Sequence, residues 1–194
     1  MRGMGEGGKR ERRARRAAGF SIIELMITVA VLGVISAAAL PSLKTMIQNA
    51  RLTATANDLM ADIAGTKTES SKRRARVVIC PNTTGVNVNT QCQASPSATS
   101  WANGWIAYVD ANSNTTYDTG DTIVRVHEAM PTDVTVYSTA TSLVSRPVGT
   151  ITPTTTFKIC INGRSGTYGK LITLSVTGRT SLSTNVSCTG SGGI

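Results

Sequence analysis

The feature that most limits how this chain can fold is an apolar run from Phe20 to Leu40, 21 residues long. It stands directly behind a basic leader, in the stretch RRAAGFSIIELMITVAVLGVISAAAL. As a helix it would extend about 30 Å, the thickness of a bilayer core. Seven Lys/Arg against two Glu in residues 1–19 predict a cytoplasmic N-terminus, with everything beyond residue 44 outside. A secretory signal peptide would place its apolar stretch ahead of the cleavage site. Here the basic segment ends at Ala18-Gly19 and the apolar run begins at once. Within that run sits one carboxylate, Glu24. An ionisable group in a membrane-length helix is costly and points to a function.

Pro41 interrupts the apolar pattern and predicts a kink there. Beyond it, Leu43, Ile47, Ala50, Ala54, Leu59 and Ile63 recur in steps that fit an amphipathic helix. The basic run KRRAR closes that helix near Arg74, and cations suit a helix C-terminus. After Arg76 the character changes to short β-branched or alternating runs: RVVIC, WIAYVD, TIVRVHE, VTVYS, FKICI and KLITLSV. Ser/Thr/Asn/Gly/Pro stretches separate them, so at least six strands are expected. Residues 81–104 and 138–156 read as polar loops. Scarce aromatics, 4%, agree with a turn-rich β domain. The predicted class is α+β: a long kinked N-terminal helix packed on a mainly antiparallel β domain. Its segments are a leader at 1–19, a membrane half-helix at 20–40, an amphipathic half-helix at 41–76 and a globular domain at 77–194.

The four cysteines, Cys80, Cys92, Cys160 and Cys188, form no C-x-x-C pair, and His127 is the one histidine. Zinc would want closer spacing and more ligands. Two disulfides in an oxidising, extracytoplasmic compartment fit better. Three pairings are open; Cys80–Cys92 with Cys160–Cys188 closes the two shortest loops and is favoured.

The stretch AAGFSIIELMITVAVLGVISAAALP resembles the class III signal and N-terminal helix of type IV pilins and type II secretion pseudopilins. That family pattern has a leader ending in Gly, then Phe, with Glu fifth and Pro twenty-second in the mature chain. Gly19, Phe20, Glu24 and Pro41 match it. WANGWIAYVDANSNTTYDTGDTIVRVHE, FKICINGRSG and LITLSVTGRTSLS are further similar to the GspH/FimT group of minor pilins and pseudopilins. The resemblance implies a type IV pilin-like fold and cleavage after Gly19 by a prepilin peptidase. It also implies N-methylation of Phe20 and a role as an assembly element for the helix. Partners would be the inner membrane, its assembly platform and other pilins or pseudopilins, at the fibre tip or in the initiating complex. In a helical stack, Glu24 of one subunit can meet the cationic amine of Phe20 in its neighbour, which removes much of the cost of burying either charge.

Other residue sets invite chemistry. Asp110, Asn112, Asn114, Asp118 and Asp121 fall at positions 1, 3, 5, 9 and 12 of an EF-hand-like loop, a weak calcium candidate. Thr115 stands where that loop needs Gly, and Asx-turns in a polar β-hairpin account for the same residues without metal. The hairpin is the preferred reading, with no cofactor. Arg164, Lys170 and Arg179 would track a phosphate backbone if they shared a face. FimT-type minor pilins of DNA uptake, which the chain resembles, carry Gly-Arg-any-Arg at this place. Here the sequence is Gly178-Arg179-Thr180-Ser181, without the second arginine. DNA is therefore the alternative partner to a purely structural role. Trp101 and Trp105 are expected to anchor helix to sheet. His127 beside Glu128 has no nucleophile motif near it, so no enzyme is expected.

Overall fold

The computed structural model describes residues 19–83, 91–92 and 100–189. The expected leader lies, apart from Gly19, outside them. Two compact units are distinguished, one up to Leu43 and one from Lys44 onward.

One helix, α1, runs from Ile22 to Arg73 and includes Pro41. The proline withdraws one N–H from the ladder without ending the helix. Ser21 precedes the first turn, and its carbonyl accepts the Leu25 N–H at 3.1 Å. In α1 the buried positions are Leu52, Thr55, Ala56, Leu59, Asp62, Ile63, Thr66 and Ser70. Steps of three and four place all eight on one stripe. The one-sided burial thus starts at Leu52 rather than at Pro41. Leu43, Ile47, Ala50 and Ala54, expected on the inner face, are exposed.

Nine strands follow among the described residues, where at least six were expected. β1 (Arg76–Pro81), β2 (Trp105–Asp110), β3 (Thr122–His127), β5 (Leu143–Ser145) and β6 (Ile151–Thr152) form a sheet in the order β3-β2-β1-β5-β6. β4 (Val134–Tyr137), β7 (Thr155–Ile161), β8 (Gly166–Leu174) and β9 (Thr180–Cys188) form a second, in the order β4-β7-β8-β9. All the pairings within both sheets are antiparallel. The six runs found in the sequence are all strands. The stretch 138–156, expected to be loop, holds β5, β6 and the start of β7. β5 and β6 are too short to show a period, and β5 is held by pairing with β1, Val77 opposite Ser145. β9 carries a Ser/Thr-rich sequence that is exposed along most of its length. Its strand state rests on a nine-residue pairing partner, β8, rather than on an apolar face.

Leu52, Ala56, Leu59 and Ile63 of α1 meet Ile79, Trp105 and Ala107 of the first sheet and Val136, Phe157, Ile159 and Ile172 of the second. Both sheets and the rear of the helix therefore share one core. Each fully buried Leu, Ile or Phe in it contributes about 1.5–3 kcal/mol of transfer free energy. Trp101 and Trp105 are both fully buried within this cluster. The Trp105 indole N–H donates to the Asp62 carboxylate at 2.8 Å. Arg125 on β3 pairs with the other oxygen of Asp62, and His127 stacks on the Trp105 ring at 4.1 Å. This buried carboxylate is satisfied from two strands at once, which fixes α1 against β2 and β3.

The disulfides are Cys80–Cys92 and Cys160–Cys188, the two short-loop pairings. The second bridge joins β7 to β9 while β8 lies between them. Gly169 on β8 makes that crossing possible: a Cβ there would stand 2.6 Å from the Cys188 Sγ. Replacing Cys160 and Cys188 together by Ser should lower stability by about 3 kcal/mol through the freed loop. Gly169→Ala should cost about 1–3 kcal/mol by overpacking with both cysteines still present. Trp105→Phe should cost about 1–3 kcal/mol because it strips a donor from a buried carboxylate. Urea unfolding followed by fluorescence of the remaining tryptophans measures all three.

Candidate assembly surface

The front of α1 has no inside. Phe20 is 81% exposed, Ile22 83% and Val34 73%, and the large apolar side chains from Phe20 to Ile47 are exposed throughout. A soluble core helix would bury most of these residues; this one is long and apolar enough to cross a membrane, and its apolar window is not buried by the described residues. Leaving so many Val, Leu and Ile side chains in water costs about 1.5–3 kcal/mol each.

Glu24 sits in the first turn of this helix. With Ser21 just before the helix, Glu24 falls at the third helical position, the spacing of a capping box. A carboxylate here also complements the positive end of the helix dipole. The serine was a signal within the sequence SIIE that the membrane reading of the run passes over. Glu24 thus has a stabilising position within its own helix before any neighbour is considered. Its side chain is exposed, as is Phe20.

The other sequence candidates fall elsewhere. Asp110, Asn112, Asn114, Asp118 and Asp121 lie at the end of β2 and in the β2–β3 connection, and their oxygens are largely turned on the loop itself. Asp110 accepts the N–H groups of Asn114 and Thr115, both at 3.1 Å. Asp121 accepts those of Ala111 at 2.9 Å and Asp118 at 3.1 Å. Asp118 accepts the side-chain amides of Asn112 at 2.9 Å and Asn114 at 2.6 Å. The Tyr108 hydroxyl donates to the Thr115 carbonyl at 2.9 Å. Burial first, and the Asp110, Asp121 and Asp118 charges second, push the Tyr108 phenol well above its usual range, so it keeps that proton. Among the described residues no group of three or more His, Cys, Asp or Glu is arranged to hold a metal ion.

Arg164, Lys170 and Arg179 are spread along β8 rather than gathered. Arg164 lies in the turn before it, with its guanidinium 4.0 Å from the Tyr168 ring centroid and within 3.4 Å of the Gln48 side-chain oxygen. Lys170 is within β8, paired with Ile159, and Arg179 is exposed in the turn that leads to β9. At about 3.3 Å per residue, the two arginines bracket a strand of roughly 30 Å.

A family model described as "Type II transport protein GspH" matches residues 55–178. A second, "Prokaryotic N-terminal methylation motif", matches residues 14–40. The fold is similar to that of the type IV minor pilin FimU of Pseudomonas aeruginosa in its P21 crystal form. That likeness has a TM-score of 0.51 and 21% identity over 69% of this chain and 89% of that one. The P65 form of the same protein aligns with a TM-score of 0.49 and 21% identity, over 69% and 94% of the two chains. No curated protein sequence matches the chain. The α+β architecture expected from the sequence is thus a type IV pilin-like fold with two disulfides. A methylation motif on an uncovered apolar helix, followed by a domain that the GspH model spans, leaves one conclusion: the chain belongs to the GspH/FimT-type family of minor pilins and pseudopilins.

Proposed function

We propose that this chain is a minor subunit of a type IV pilus or of a type II secretion pseudopilus. It enters the inner membrane through the front of α1, with its N-terminus in the cytoplasm and its β domain in the periplasm. A prepilin peptidase cuts between Gly19 and Phe20, and the new amine of Phe20 is methylated. An assembly platform then moves the helix from lipid into the fibre, at or near its tip or in the initiating complex. The observation behind this reading is the unbroken exposure of large apolar side chains from Phe20 to Ile47, on a helix whose start carries the methylation motif.

The chemistry of incorporation is non-covalent. In lipid and in the fibre, the apolar face is covered without change of fold. Glu24 supplies the counter-charge for the Phe20 amine of an adjacent subunit, in a setting of low dielectric where neither charge is stable alone. Pro41 leaves one carbonyl of the helix without its usual partner, which gives the rod a point of adjustment between its membrane half and its domain half.

Glu24→Ala should leave the leader cleaved at the wild-type rate, seen as the same shift in gel mobility. The amount of subunit recovered in sheared fibres should fall by about a hundredfold, because removing one partner of a buried pair costs about 3–5 kcal/mol. Wild-type recovery of the alanine variant in fibres would sink the pairing.

A further inference from the structure

From Val134 to Ile194 the chain has no Asp or Glu, while it holds Arg146, Lys158, Arg164, Lys170 and Arg179. Two of these arginines are brought to one place by two tight turns. The first turn follows β5: the Gly149 N–H donates to the Arg146 carbonyl at 2.9 Å. The second follows β8: the Gly178 N–H donates to the Ser175 carbonyl at 2.9 Å. The turns come from different sheets and are joined directly, with the Ile151 N–H donating to the Val176 carbonyl at 2.8 Å. Lys67 of α1 locks them further by donating from Nζ to the Thr177 carbonyl at 2.7 Å. Gly178, at φ +72°, admits the lysine stem, since a Cβ there would stand 2.9 Å from its Cδ.

This stapled double turn displays apolar surface as well as charge. Val148 is 82% exposed and Val176 47% exposed, the two most exposed large apolar residues beyond Ile47 among the described residues. Arg146 and Arg179, both exposed, stand beside them in the same two turns. Arg146 is steadied by a hydrogen bond of 2.7 Å to the Thr152 hydroxyl. A rigid patch of valines flanked by arginines loses little entropy when it is covered.

We propose that this double turn is a docking patch for an apolar surface rimmed with carboxylates on an adjacent subunit of the fibre. The inference rests on the reading of the chain as a fibre subunit. Charge selects the partner, because Arg146 and Arg179 stand in a stretch, from Val134 to Ile194, whose sequence contains no Asp or Glu. The apolar pair selects protein over nucleic acid. A phosphate backbone is bound by a series of cations, often with aromatic rings between them. Here two valines lie with the two arginines, and the lysine already spends a donor on Thr177. Arginine with apolar neighbours is the usual make-up of a protein contact. The contact is heterologous, patch to a different surface, as a helical fibre requires.

The test is made with the full chain in its own cells. The double variant Arg146→Glu with Arg179→Glu should lower recovery in sheared fibres by about tenfold through like-charge repulsion. Its level of processed protein in the membrane should stay unchanged. Arg146→Lys with Arg179→Lys should restore most of the recovery. Val148→Asp, at a side chain almost fully in water, should lower recovery without touching the fold. A photo-crosslinking residue at position 148 should join the chain to a fibre subunit at a peptide that contains Asp or Glu. Wild-type recovery of the Glu double variant, with Val148→Asp also normal, would overturn the patch. So would loss of binding to labelled duplex DNA by the Glu double variant while its fibre recovery stays normal. If wild-type chain is itself absent from fibres, the subunit reading fails and the patch falls with it.

Discussion

The whole structure depends on where burial starts along one helix. From Leu52 to Ser70 the inner positions of α1 are closed off by two sheets, while the large apolar residues from Phe20 to Ile47 are open. Two stretches of one helix thus follow different rules. The rear half obeys the rule of a globular protein, with one apolar stripe and a polar back. The front half obeys the rule of a membrane segment, apolar on every side. Among the described residues nothing buries the large apolar side chains of the front half.

The rear of α1 is held by polar contacts as well as apolar ones. Asp62 would be a costly residue to bury alone, yet it receives the Trp105 indole and the Arg125 guanidinium. Thr66 meets the Ser145 hydroxyl at 3.0 Å, and Ser70 reaches the Ser145 carbonyl at the same distance. Lys67 reaches the second sheet through Thr177. These bonds come from positions 62, 66, 67 and 70, so the helix is registered against both sheets within about two turns. The apolar stripe provides most of the free energy, and the polar set fixes the register.

Much of this was legible in the chain itself. The apolar run and the methylation motif at its start lie within one short stretch, where local chemistry and sequence coincide. The six apolar strands were legible because their side chains pack on a core. β9 was not, because Thr180–Cys188 has little apolar content and owes its conformation to a partner strand remote from any local pattern. The same limit explains the stripe: Leu43 and Ile47 have the right spacing and residue type, and only the extent of the sheets decides that they stay open. Arg179 is close to Arg164 and Lys170 in sequence. The turn before it is bonded to Ile151 through Val176 and to Lys67 through Thr177, which no spacing along the chain announces.

The bridge over Gly169 has a mechanical consequence. β9 is an edge strand, and an edge strand pulled from one end opens its hydrogen bonds one at a time. Here the first residue of β9 is tethered to β8 by a five-residue turn, and its last residue is bonded covalently to β7. A load applied beyond Cys188 passes through sulfur into an interior strand and bypasses the β8–β9 ladder. In the fibre proposed above, a pull from that end would not peel β9 from its sheet.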